Sequence, residues 1–246
     1  MRAIPQRAWC ALLCLFLSPV FTWSQGAVSP QSSAGRAADA VTLRRFEERY
    51  RNAVTLAVTF LERYYDNGKL VRAEAGQAYF QRPGKMRWDY ESPEKNTFVV
   101  DGKFVWFYSP ADHTVTRMPA KQSEDWRTPL AFLTSHMKLS RICGQLAPDP
   151  DTVPVKPVDE VYACTLRGGG EASEGQGKPK IARFEISPQG ELVRVLVPLE
   201  GGMSLEFSFG GWKFDPQLAK GLFQFTPPRD AVVVDGLLSE TPGMRQ

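Results

Sequence analysis

The chain has 246 residues, 43% of them hydrophobic and 23% charged, with a formal net charge of +3. That length suits one domain with a sizeable core. So balanced a charge argues against the clustered Lys/Arg surface that nucleic-acid binding needs.

The N-terminus reads as a secretory signal. Arg2 and Arg7 precede an apolar run over residues 8–17, which Ser18-Pro19 breaks, and the small residues Thr22, Ser24 and Gly26 follow. The run is shorter than the about 20 apolar residues of a bilayer span. An exported chain is expected, cleaved after Ser24 or Gly26; an uncleaved anchor is the alternative. A lipid-modified cysteine would follow a small residue, and Cys10 follows Trp9 while Cys14 follows Leu13. Removing residues 1–24 takes away Arg2 and Arg7 and so lowers the net charge by two. Cys143 and Cys164 remain, without Cys-x-x-Cys spacing, and are expected to form a structural disulfide. Residues 25–38, rich in Ser, Ala and Gly, read as a flexible leader, and 39–246 as a single domain.

Residues 39–53 carry Val41, Phe46 and Tyr50 near helical spacing, with Val54 just beyond and Asp39 as cap. From Thr55 the period becomes two, with Leu56, Val58 and Phe60 on one face. Asp66-Asn67-Gly68 turns the chain into a returning strand over 70–81. Pro83-Gly84 turns it again, and Pro93 ends the strand over 85–91. Residues 96–100 and 103–109 form a hairpin about Asp101-Gly102, and 115–118 a short strand. Thr128-Pro129 starts a helix whose Leu130, Phe132 and Leu133 make it apolar on nearly all sides. Further strands are expected over 138–143, 161–167, 181–187, 192–197, 203–209, 223–226 and 231–234. Loops are expected over 147–157 and 168–179, and a helical turn over 218–222. Met203, Leu205, Phe207 and Phe209 alternate with polar residues, so one face of that strand is apolar. The sum is a mainly β chain with short helices, about 11 strands in an antiparallel meander whose edges and apolar face must be closed or covered.

Little in it resembles a catalytic centre. His113 and His136 lie far apart, with no His-Glu-x-x-His or Gly-x-Ser-x-Gly pattern. Gly168-Gly169-Gly170 opens no helix, which makes a phosphate loop a poor reading. Asp89, Glu91 and Glu94 could do acid–base work, but at a strand end such carboxylates are ordinarily solvated. No metal site, cofactor or enzymatic activity is expected. The aromatics are the stronger signal. Trp88, Tyr90, Phe104 and Trp106 crowd one part of the sheet, as core or as the wall of an apolar cavity. Residues 104–108 are apolar on both faces, so their strand is expected to be covered on both sides.

Arg82-Pro-Gly-Lys-x-Arg-Trp-x-Tyr-x-x-Pro93, followed by Asp101-Gly-Lys-x-x-Trp-x-Tyr108, resembles the periplasmic outer-membrane lipoprotein carrier family, LolA. Thr128-Pro129-Leu130 and Phe223-x-Phe225-x-Pro227-Pro228 follow in the family's order. The resemblance implies an incomplete antiparallel β-barrel under a helical lid, in a soluble, monomeric periplasmic carrier. Its cargo would be acylated lipoproteins, received from an inner-membrane ABC-type releasing complex and passed to an outer-membrane acceptor. Arg82 matches a family arginine that bonds to the lid and holds the empty form closed. Leu130, Phe132 and Leu133 would fill the acyl site when no cargo is bound. Trp88, Tyr90, Phe104, Trp106, Met203, Leu205, Phe207 and Phe209 would line the cavity. A carrier or sensor of another lipid, or a hydrolase on the same barrel, are the alternatives. The loops over 147–157 and 168–179 depart from the family pattern, and a Cys143–Cys164 bond would pin the strands beside the first of them.

Overall fold

The computed structural model describes residues 31–120, 130, 133–134, 139–167 and 181–236, with backbone alone for 31–40, 140–141 and 200. The signal, Thr128-Pro129, Phe132 and the loop over 168–179 lie outside them. The chain forms helix α1 (Gln31–Asn52) and strands β1 (Thr55–Asp66), β2 (Lys69–Gln81), β3 (Lys85–Ser92), β4 (Thr97–Val100), β5 (Phe104–Ser109) and β6 (Thr114–Pro119). Helix α2 (Leu139–Ile142) leads directly into β7 (Cys143–Pro148). Strands β8 (Glu160–Leu166), β9 (Ile181–Ile186), β10 (Leu192–Pro198), β11 (Met203–Phe214) and β12 (Val232–Asp235) follow.

Helix α1 starts ahead of Asp39, its expected cap, and takes in part of the segment read as leader. Ala34, Ala37, Ala38 and Ala40 supply the strongest helix former there. Residues 139–142, expected as strand, are helical. Residues 223–226 form no strand: Leu222 and Gln224 donate N–H groups to Ala219 and Gly221 in successive turns.

Among the described residues twelve strands make one open sheet in the order β12-β6-β5-β4-β3-β2-β1-β11-β10-β9-β8-β7, an incomplete barrel. All pairs are antiparallel except β12 with β6, which is parallel. Pairing of β1 with β11 joins the two halves of the meander. Curvature is visible in the rings. β3 and β11 are separated by β2 and β1, a distance of about 14 Å in a flat sheet. Yet the Trp88 and Phe207 ring centroids lie 5.5 Å apart, and Phe80 of β2 stacks on Trp212 of β11 at 6.4 Å. Large side chains on a concave face converge in this way. Gly76 assists at the β2–β3 bulge, because a Cβ there would lie 2.0 Å from Asp89 O.

Helix α1 buries Phe46 and Tyr50 in the same core. The Tyr50 ring meets Trp212 at 5.2 Å and Phe214 at 5.3 Å, and its hydroxyl accepts Leu192 N–H at 3.0 Å. Burial holds that phenol well above its usual pKa against the opposing Leu192 bond, so it stays neutral. Arg45 and Arg49 reach the β9–β10 turn, Arg45 Nη1 donating to Pro188 O at 3.1 Å and Arg49 pairing with Glu191 at 3.0 Å. Gly190, at φ +75°, sits under the helix, where a Cβ would come within 2.8 Å of Phe46 N.

On the outer face, residues 149–159 form a strap across β8–β10. Asp149 accepts from Arg183 Nε at 2.7 Å, Glu185 from Val155 N–H at 2.6 Å, and Val153 O from Arg194 at 2.8 Å. Glu185 is wholly buried, and that burial raises its pKa despite Arg194 at 2.7 Å. Residues 220–236 cover the outer face of β3–β6. Phe225 packs on Trp106 at 5.6 Å, Arg87 donates to Leu222 O at 3.1 Å, and β12 closes onto β6.

Candidate functional site

The concave face is built from alternate residues of successive strands. Leu56, Val58, Phe60, Glu62 and Tyr64 of β1 stand across from Phe80, Ala78, Gly76, Glu74 and Arg72 of β2. They also stand across from Phe214, Phe209, Phe207 and Leu205 of β11, Val58 falling at a bulge. Met86, Trp88 and Tyr90 extend the row on β3, with Phe98 and Phe107 beyond it. Trp88 is the hub: its ring lies 4.6 Å from Phe60, 5.9 Å from Phe80 and 6.4 Å from Phe209. Trp88, Leu205 and Phe207 are fully buried, whereas Met203 and Phe209 are partly exposed towards the rim.

One end of this face is polar. Glu62 is wholly buried and its carboxylate accepts from the Tyr64 hydroxyl and, at 2.9 Å, from the Tyr90 hydroxyl. Glu74, its cross-strand partner, is ion-paired with Arg72 at 2.7 Å. The inner surface is thus amphipathic, aromatic over most of its area and hydrogen-bonding at the β1–β2 turn end. No motif singles out Glu62 in the sequence. A signal exists nonetheless: the apolar alternation through Leu56, Val58 and Phe60 continues in register to Glu62 and Tyr64.

At the opposite end stands Arg82, 7% exposed. Its guanidinium donates to the carbonyls of Tyr50, Arg51 (2.8 Å) and Ala53, the last carbonyls of α1 and its exit. A helix C-terminus presents carbonyls without intrahelical donors and carries partial negative charge, which a buried cation satisfies. Burial lowers the Arg82 pKa, with Asp215 opposing. Two residues on, Gly84 N–H donates to Thr134 O at 2.9 Å. The β2–β3 turn therefore grips both α1 and the segment between β6 and β7. Leu130 and Leu133 of that segment are buried in the main core at 0% and 1% exposure.

Phe104 and Trp106 depart from the expectation that they line the cavity. They lie on the outer face with Val99, Val115 and Tyr108, beneath Phe225. The cause is local. Asp101 in the β4–β5 turn accepts from Lys103 N–H (2.7 Å), Phe104 N–H (2.8 Å) and Trp106 Nε1 (2.9 Å), which ties the indole outward. Val105 and Phe107 face the core instead. Burial alone would raise the Asp101 pKa, but the Phe104, Trp106 and Lys103 donors outweigh it and hold the carboxyl below the usual range. A lowered carboxylate pKa contributes stability that is present above the unfolded value, about 3.9, and is lost as pH falls through the folded one. Asp101→Asn is therefore expected to lower the melting temperature most near neutrality. The gap from the parent protein should close between about pH 5 and pH 2, as thermal melts across that range would record.

Asp89 also faces outward, where it takes both oxygens' bonds from Arg87 Nε at 2.9 and 2.8 Å. Among the described residues no cluster of His, Cys, Asp or Glu could hold a metal ion, and no helix is long and apolar enough to cross a membrane.

Residues 51–156 match the family model described as outer membrane lipoprotein carrier protein LolA. Over that stretch the chain is similar to the LolA family. An outer-membrane lipoprotein carrier protein of Methylococcus capsulatus is 29% identical to it over 234 residues, spanning 87% of this chain and 93% of that protein. One from Xanthomonas campestris pv. campestris is 28% identical over 184 residues, 71% of this chain and 79% of the relative. The crystal structure of a conserved protein from Thermus thermophilus superposes with a TM-score of 0.48 at 17% identity, covering 81% of this chain and 99% of that one.

The stretch matched to LolA begins beside the last turn of α1 and ends within the outer strap, so it holds Arg82, Trp88, Tyr90, Glu62, Leu130 and Leu133. Cys164 lies beyond it. Cys143 and Cys164 are bonded, with Cα atoms 5.2 Å apart, and both are buried. The bond ties β7 to β8 just after α2, and Arg167 Nε adds a bond to Cys143 O at 2.8 Å. Closing a loop of 21 residues is worth about 3 kcal/mol on chain-entropy grounds. Replacing both cysteines with serine is expected to lower unfolding free energy by roughly that amount in urea melts. A change under about 1 kcal/mol would mean that the surrounding strands hold without it.

Proposed function

We propose that this protein is a periplasmic lipoprotein carrier: it holds the acyl chains of a lipoprotein on its concave aromatic face and moves it from the inner to the outer membrane. The observation that carries this reading is the packing of Leu130 and Leu133 into the same buried cluster as Trp88, Phe60 and Phe207. A segment outside the sheet occupies the apolar face, as a lid would when no cargo is bound. Its release would expose a surface suited to acyl chains, whose burial is worth about 0.8 kcal/mol per CH₂. Covering that face with the protein's own leucines supplies the opposing term that lets so tight a ligand leave. Arg82 and Gly84 hold the two movable pieces, α1 and the lid segment, from a single turn. In this reading residues 1–24 are the export signal, 25–38 a leader that runs into α1, and 39–246 the binding domain. An inner-membrane ATP-driven releasing complex and an outer-membrane acceptor are its partners, and its role is binding rather than catalysis. The LolA match and the carrier relatives support it.

Release of lipoproteins from spheroplasts by the purified, signal-free protein tests the reading. Acylated proteins recovered in soluble complex with it, identified by intact mass, are the expected result. Recovery of free lipid alone would replace the cargo with another hydrophobe, and no release would overturn the carrier role.

A further inference from the structure

The β1–β2 hairpin outruns the strand beside it. β2 pairs with β1 from Lys69 to Gln81, with a bulge at Val71. β3 pairs with β2 only from Ala75 onward, because Ser92 is its last residue and Pro93 turns the chain back, Tyr90 N–H bonding to Asn96 O at 2.9 Å. Among the described residues, 69–74 have a strand on one side only. Such an edge presents main-chain N–H and C=O groups that an added strand can take up. Its side chains are graded along the edge. Leu70 and Val71 are 49% and 50% exposed, and Lys69 and Ala73 are exposed too. Glu74 is 5% exposed and stands across from Glu62 on the inner face. The open edge therefore starts in solvent and runs into the polar rim of the concave face.

We propose that residues 69–74 of β2 bind, as an added β-strand, the extended polypeptide that follows the acylated residue of the cargo. The inference rests on the carrier reading above. With acyl chains on the aromatic face, the attached polypeptide leaves at the rim, and the rim at Glu74 continues directly into this edge. Bonds to main-chain groups are indifferent to the cargo's side chains, which suits a carrier of different proteins. Leu70 and Val71, which lie exposed without cargo, give the added strand apolar contact. The register shift at Tyr64/Tyr65, which leaves Val71 without a cross-strand partner, bends the edge and keeps the pairing short.

Three synthetic probes test this with the full protein, each carrying the same acylated cysteine. One has a neutral tail of about eight residues, enough to span the edge at about 3.3 Å per residue. The second has alternate tail amides N-methylated, and the third has no tail. The unmodified tail is expected to tighten binding by about 10- to 100-fold over the tailless probe, as a few net main-chain bonds imply. N-methylation should abolish that gain, and only the unmodified tail should slow amide hydrogen exchange at residues 69–74. Equal binding of all three, with exchange unchanged, overturns the added strand while the carrier reading stands. If none binds, the carrier reading falls and this inference with it. Concentration-dependent protection of the same amides in the free protein would assign the edge to a second copy of the chain and overturn the proposal.

Discussion

Arg82→Leu is expected to lower the melting temperature by about 5–15 °C and, at the same time, to tighten binding of an acyl-chain probe. The stability loss follows from the carbonyls of Tyr50, Arg51 and Ala53, which lose the guanidinium donor, the Tyr50 and Ala53 bonds being buried and the Arg51 bond part-buried. Each unsatisfied group costs about 1–3 kcal/mol, offset in part because a buried guanidinium no longer has to be desolvated. A net cost of about 2–4 kcal/mol at about 2–4 °C per kcal/mol gives the stated range. The gain in binding follows from population: if the closed form is the one Arg82 stabilises, weakening it raises the binding-competent fraction and lowers the apparent Kd in proportion. Thermal melts and probe titration on the same preparation separate the roles. A lower melting temperature with unchanged or weaker probe binding would make Arg82 a helix cap and nothing more.

Trp88→Ala should be the most destabilising single change, at about 3–5 kcal/mol. The indole meets Phe60 of β1, Phe80 of β2, and Phe207 and Phe209 of β11. Its loss leaves a cavity where the two halves of the sheet face each other, so neighbouring rings have little freedom to collapse inward. Trp88→Phe keeps much of the contact and should cost less than half as much. Urea melts would settle it. A loss below about 1 kcal/mol for the alanine variant would mean that these rings do not join the sheet's two halves.

The motifs that stand out in the sequence have distinct structural meanings. In Arg82-Pro83-Gly84 the arginine reaches α1 and the glycine N–H reaches Thr134, while Trp88 and Tyr90 enter the concave face. In Asp101-Gly102-Lys103 through Trp106 the aspartate clasps the turn and draws the indole outward. The two tryptophans look equivalent in one dimension. Alternation can rank Trp88 because polar Arg87 and Asp89 flank it. Strand β5 offers no such contrast, since residues 104–108 are apolar on both sides, and only the cover from Phe225 tells its faces apart. Helix α2 in place of an expected strand, and a parallel β12, are likewise illegible. A four-residue segment has too little period to read, and a strand's neighbours are set by the path of the whole chain.

The sequence by itself determined the mainly β meander, its turns, the family resemblance and the two cysteines that pair. Those features are local or ordered along the chain, and glycine, proline and a period of two mark them directly. Tertiary structure alone decided which face each aromatic takes, the meeting of β1 with β11, and the placing of Glu62 and Glu74 side by side. It also decided the reach of Arg82 to a helix end 31 residues earlier in the chain. These depend on curvature, which brings side chains three strands apart into contact, and on cover from segments distant in the chain, neither of which leaves a periodic mark.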